Sequence, residues 1–184
     1  MQETTRRSVL VLGLALPMFA IGRGAVAQTG EGFAEQRLKE RGIVLPEAPT
    51  PVANYVPSVR TGDLVFVSGQ GPRKPDGTLA TGKVGKDVTA EEAYQHARLA
   101  GLAVLAVLRA GVGGNLDKVR RAVKVSGMVN AVPEFADHPK VINGCTDLLV
   151  EVFGDQGRPA RSSMGMGSLP FGITVEIEAI FEVM

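Results

Sequence analysis

Residues 175–183 read Val-Glu-Ile-Glu-Ala-Ile-Phe-Glu-Val, and this alternation constrains the fold more than any other stretch. At a period of two, Val175, Ile177 and Phe181 project to one side and Glu176, Glu178 and Glu182 to the other. Such a strand belongs in a sheet with one buried and one polar face. The buried face needs a cover, and two helical stretches supply it. Thr89-Ala90-Glu91-Glu92 has the form of a capping box and opens a helix running to about Ala110. Its Ala93, Ala97, Ala100, Val104, Leu105 and Leu108 make a wide face of small residues suited to close packing on a sheet. Gly111 and Gly113-Gly114 end it. Pro139 lies just inside a second helix that reaches about Phe153, with Asp137 as its cap.

The remaining strands fall around these helices. Tyr55-Val56 and Val59 precede the turn Thr61-Gly62-Asp63, and the β-branched run from Leu64 to Gly69 completes a hairpin. Gly77, Gly82 and Gly85 mark a long loop after it. Residues 119–132 alternate, with Ala122, Lys124, Ser126 and Met128 expected on one face and Val123, Val125, Gly127 and Val129 on the other. Ser162 to Leu169 and Ile173 to Val183 are the closing strands. The order β-β-α-β-α-β-β predicts an α+β domain, a mixed sheet with two helices on one face. Its other face, carrying small and apolar residues, predicts self-association. Ahead of this domain, residues 32–42 form a short amphipathic helix, and Pro46, Pro49 and Pro51 require an extended connector. Residues 28–50 are therefore assigned to a helix and connector, and residues 51–184 to the domain.

Residues 1–27 read as an export signal. Arg6 and Arg7 precede an apolar run from Ser8 to Ile21, too short to span ~30 Å of hydrocarbon as a helix. Ala25-Val26-Ala27 offers a signal-peptidase site, with cleavage after Ala27, and Thr5-Arg6-Arg7-Ser8-Val9-Leu10 resembles a twin-arginine signal. The expected location is periplasmic, with membrane contact only through the signal peptide during export. Cleavage removes three Arg and one Glu, so the formal net charge goes from +1 to −1.

That balance argues against a nucleic-acid partner, since phosphate binding calls for a basic excess or stripe. The single cysteine, Cys145, excludes an intrachain disulfide and a thiolate-rich zinc site. On a helix it reads as a small buried hydrophobe. His96 and His138 are distant in sequence and give little support to a metal site. The glycines of residues 69–85 match no phosphate-binding fingerprint. The basic pairs Arg73-Lys74 and Arg120-Arg121 read as solvated surface.

Pro159-Ala160-Arg161-Ser162-Ser163, then Leu169-Pro170, then Val175-Glu176-Ile177-Glu178-Ala179-Ile180 occur in an order and spacing that resemble the RidA/YjgF family. These are the enamine/imine deaminases, whose domain also carries the label endoribonuclease L-PSP-type. Tyr55, the run Val65-Phe66-Val67-Ser68-Gly69-Gln70 and the helix residues Val141-Ile142-Asn143-Gly144 extend the likeness over about residues 50–184. The resemblance implies a chorismate-mutase-like homotrimer with three clefts between neighbours. It also implies hydrolysis of small carboxylated 2-imino or enamino acids to 2-keto acids and ammonia, without metal or organic cofactor. In that scheme Arg161 grips the substrate carboxylate and Glu176 positions or activates water. Tyr55, Ser68, Gly69 and Asn143 form the pocket wall and its supporting hydrogen bonds. Ser163 stands where the deaminase branch usually has Cys and is counted with the substrate-binding residues.

The chemistry suits these side chains. A guanidinium takes a carboxylate through two parallel bonds, fixing orientation as well as charge. A carboxylate can take the proton of an attacking water. Alternatives remain open on the residues alone: Arg161 in a structural ion pair with Glu176 or Glu178, Glu176 as a solvated strand-face carboxylate, and Tyr55 and Ser68 as structural hydrogen-bonders. Two other functions are weighed beside the deaminase: a non-catalytic trimeric binder of small carboxylates, needing Arg161 but not Glu176, and a ribonuclease, which fits a −1 mature chain poorly.

Overall fold

A computed structural model describes residues 33–50 and 53–184, and the expected export signal lies outside them. Three helices, α1 (Ala34–Glu40), α2 (Ala90–Gly111) and α3 (His138–Phe153), accompany five strands, β1 (Ser58–Thr61), β2 (Leu64–Gln70), β3 (Val119–Asn130), β4 (Ala160–Met166) and β5 (Val175–Val183). The sheet order is β1-β2-β5-β3-β4. All pairings are antiparallel except β3 with β4, which run parallel because the chain crosses over through α3. The α+β architecture expected from the sequence is the one observed. No helix among the described residues is long and apolar enough to cross a membrane.

β5 occupies the centre, and Val175, Ile177, Ala179, Phe181 and Val183 are all buried beneath α2 and α3. Glu176 and Glu178 take the opposite face, beside Met128 and Ser126 of β3. The simple alternation expected for β3 slips. Its pairing with β5 shifts register between Ala122 and Lys124, so Ala122 joins Val125 in the core instead of sharing a face with Lys124. A bulge of this kind places consecutive phases of one strand on different faces.

Thr89 caps α2 as expected, its hydroxyl accepting from Glu92 N–H while the Glu92 carboxylate accepts from Thr89 N–H. Asp137 precedes α3 but its side chain makes no capping bond, so Pro139 and packing define that start. The two long helices approach closely. A methyl group at Gly144 would strike the Tyr94 carbonyl oxygen, and one at Gly101 would lie 3.2 Å from Cys145 Sγ. Glycine on each helix lets the backbones meet, which fixes α3 above β3 and β4. Helix α1 docks at the end of this layer, where the Glu35 carboxylate accepts from Arg109 at 3.0 Å and from the Leu116 amide at 2.9 Å.

Candidate functional site

Arg161 sits on β4, an edge strand, opposite the buried Val125, and so belongs to the helix-covered face. Its Nη1 donates to Asn143 Oδ1 at 2.7 Å and to Thr146 Oγ1 at 3.0 Å. These two acceptors lie one turn apart on α3, where residues three apart share a face. Among the described residues Arg161 forms no salt bridge, so the pairing with Glu176 or Glu178 considered above is not realised. Neutral acceptors orient the guanidinium without cancelling its charge. It lines a recess of about 200 Å³ with Thr146, Asp147 and Val150 of α3 and Arg158-Pro159 of the preceding turn.

Ser163 follows Arg161 by two residues and thus points to the same side of β4. Its hydroxyl oxygen is buried and has no hydrogen-bond partner. An unmade bond of this kind costs about 1–3 kcal/mol, and buried polar groups in folded proteins are nearly always satisfied.

Glu176 stands on the other face of the sheet. The pairing of β2 with β5 shifts between Val67 and Gln70, so Ser68 and Gly69 together oppose Glu178. This bulge carries Gly69 under the Glu176 side chain. A methyl group at Gly69 would collide with the carboxylate oxygen and lie 2.9 Å from Cδ. Glycine is needed there for that close approach. Burial pushes the Glu176 carboxyl above the ordinary carboxylate range, and the charge of Glu178 pushes it further.

Glu176 lines a larger recess of about 530 Å³ with Tyr55, Ser68, Gly69 and Gln70. The Ser68 hydroxyl and amide both donate to the Pro57 carbonyl at 2.9 Å, so this serine holds the hairpin. Gln70 Nε2 donates to the Ser68 carbonyl at 3.0 Å. Tyr55 is exposed at the rim.

A single chain therefore gathers the expected residues into two groups. Tyr55, Ser68, Gly69 and Glu176 share one recess; Arg161 and its Asn143 partner, with Ser163 on the same side of β4, form another across the sheet. Sequence reasoning missed several neighbours. Thr146 could have been found from its place three residues after Asn143. Arg73, read as solvated surface, lines the Glu176 recess, as do connector residues 46–50 and Phe171. Only tertiary packing brings these in. Cys145 is fully buried with its thiol pushed up to about 12, as an inert core residue requires. His96 Nδ1 lies 3.1 Å from Thr174 Oγ1, and the His138 ring packs edge-on against Phe135. Among the described residues no cluster of three His, Cys, Asp or Glu side chains is placed to hold a metal ion.

Residues 35–177 match the family model described as YjgF/chorismate mutase-like, which also carries an endoribonuclease label. The chain belongs to this family, the one known by the names RidA and YjgF. It is 40% identical over 153 residues to protein TCP17 of Trypanosoma cruzi, covering 83% of this chain and 95% of that one. It is 30% identical over 142 residues to a 2-iminobutanoate/2-iminopropanoate deaminase of Dermatophagoides farinae, covering 77% and 94%. The crystal structure of Agrobacterium tumefaciens protein Atu1372 superposes with a TM-score of 0.76 at 44% identity, covering 85% of this chain and 97% of that one.

Proposed function

We propose that this protein hydrolyses reactive 2-imino and enamino acids to 2-keto acids and ammonia, at clefts where the Arg161 recess of one subunit meets the Glu176 recess of its neighbour in a homotrimer. The observation that carries this reading is the state of Arg161: oriented by two neutral acceptors, in no salt bridge among the described residues, and open to a recess. A half-buried guanidinium held outside any salt bridge is a receptor for an anion.

In the reaction, Arg161 holds the substrate carboxylate and so presents the adjacent C=N carbon to one water. The water oxygen bonds to that carbon while Glu176 takes a proton from it. The C=N π pair moves to the nitrogen of the protonated imine, which gives a neutral carbinolamine. Glu176 then returns its proton to that nitrogen, the C–N bond breaks as the O–H electron pair forms C=O, and the hydroxyl proton leaves with ammonia as ammonium. A carboxyl raised by burial is suited to accept and return a proton within one cycle. The Ser163 hydroxyl, without a partner in the isolated chain, is available to hydrogen-bond the bound acid.

The test is keto-acid release from imines generated by an amino-acid oxidase. The protein should accelerate release above buffer, and Arg161→Ala should cut that acceleration by about 100-fold at low substrate. A lack of acceleration across several amino acids would end this reading.

The separation of Arg161 and Glu176 on opposite faces favours one other reading, a carboxylate binder that uses the Arg161 recess alone. Ligand-induced thermal stabilisation kept in Glu176→Gln, with no turnover in the parent protein, would select it. For residues 1–27 we propose export, which N-terminal sequencing of periplasmic protein should confirm by a start at Gln28; an intact Met1 there would refute cleavage.

A further inference from the structure

The recess beside Glu176 is larger than a three- or four-carbon imino acid needs. At about 530 Å³ it falls among pockets that take drug-sized ligands, ~300–1,000 Å³. Its lining away from Glu176 is mainly apolar, with Leu79, Leu99, Ala103 and Ile173 among the prolines of the connector and hairpin. The charged groups Glu47 and Arg73 contribute one charge of each sign, so the lining offers no net attraction for a second charged group on the substrate. The Gln70 amide is already bonded to Ser68, and Arg73 Nη1 to the Gly77 carbonyl at 2.6 Å. Most of the rest of the lining is apolar.

Phe171 is a second and independent observation. It lines the same recess, yet the residue is 75% exposed in the single chain. Its backbone has φ +56°, making it the one non-glycine residue with positive φ among the described residues. A bulky side chain in that conformation is strained, and such strain persists where the surroundings or a ligand give it a use. An exposed phenyl ring held by strained backbone at the mouth of an apolar recess is placed to close over a ligand.

Resting on the deaminase reading above, we propose that this recess takes the side chain of the imino acid, that Phe171 is a specificity-determining residue packing on it, and that the favoured substrates are imines of amino acids with large apolar or aromatic side chains. Empty apolar space beside a small substrate forfeits contacts that a larger one makes, and aromatic rings pack with particular gain.

The experiment compares kcat/KM for imines derived from alanine, leucine and phenylalanine in the parent protein, Phe171→Ala and Phe171→Gly. The parent should favour the phenylalanine-derived imine over the alanine-derived one by at least about 10-fold. Both variants should cut that ratio by about fivefold or more. Glycine relieves the backbone strain and alanine does not, so only Phe171→Gly should also raise Tm, by about 2 °C. A parent ratio at or below one, or a ratio unmoved in Phe171→Ala, overturns the inference while leaving the deaminase reading intact. If no imine is turned over, the deaminase reading fails, and thermal-shift titration with phenylpyruvate and pyruvate decides the inference separately. Tighter phenylpyruvate binding lost in Phe171→Ala supports the subsite, and equal binding overturns it.

Discussion

Arg161 and Glu176 lie on opposite faces of one sheet, and their surroundings hold them in opposite ways. Arg161 is fixed by the hydrogen bonds it donates to one helix, on an edge strand, with its positive charge in no salt bridge among the described residues. Glu176 is fixed by shape, on the central strand, in a space opened by a β-bulge and a missing Cβ, and burial and a like charge weaken its hold on a negative charge. The first arrangement suits binding an anion. The second suits passing a proton. On the function proposed above, building the two on different faces divides recognition from chemistry, and a neighbouring subunit brings them together.

That division can be broken experimentally, and the largest effect should come from the proton-passing side. Glu176→Gln should lower kcat by about 10³-fold, within the ~10²–10⁴ range of general acid–base groups, with KM little changed. Arg161→Ala should cost about 100-fold in kcat/KM and act chiefly through KM, with Arg161→Lys restoring little because a point charge lacks the planar fork. A pattern with the KM and kcat effects exchanged would contradict the division. Gly69→Ala should lower kcat by about 10-fold by displacing the carboxylate, since positioning errors are costly in rate. Gly167→Ala, where a methyl group meets nothing within 4 Å, is its control. Asn143→Ala should raise KM by about fivefold, with Asn143→Asp failing to restore it because a carboxylate would neutralise the guanidinium.

The smallest effect is on stability. A carboxyl whose folded pKa lies above its unfolded value favours folding at pH below the unfolded value, and that contribution is lost as pH rises through the folded one. Glu176→Gln should therefore melt at a higher temperature than the parent at pH 7, and the gap should close as pH falls below about 4.5. In the parent, kcat should decline with acidification through a pKa above the ordinary carboxylate value, as Glu176 loses its capacity to accept a proton.

The sequence reveals the sheet and its helices because each is written in a local period. Val175 to Val183 alternates at every position but Ile180, and Thr89 with Glu92 marks a helix start whose bonds then form. It does not reveal the phase of β3 around Ala122, because a bulge is set by pairing with β5 rather than by the strand itself. The same limit applies to the sites. Arg161, Glu176, Asn143 and Gly69 stand out through their motifs, while Phe171 and the connector carry no motif. Their roles arise only when residues 46–50 and 169–173 fold back onto the hairpin.

The central claim, a site shared between subunits, is tested most directly by mixing the two impaired variants at a substrate concentration below the parent KM. Arg161→Ala and Glu176→Gln chains, co-expressed in equal amounts and purified as mixed oligomers, place an intact arginine against an intact glutamate at about one junction in four of a closed ring. The account predicts recovery of about a quarter of the parent activity. Mixed oligomers that assemble and show no more activity than the variants alone would contradict it.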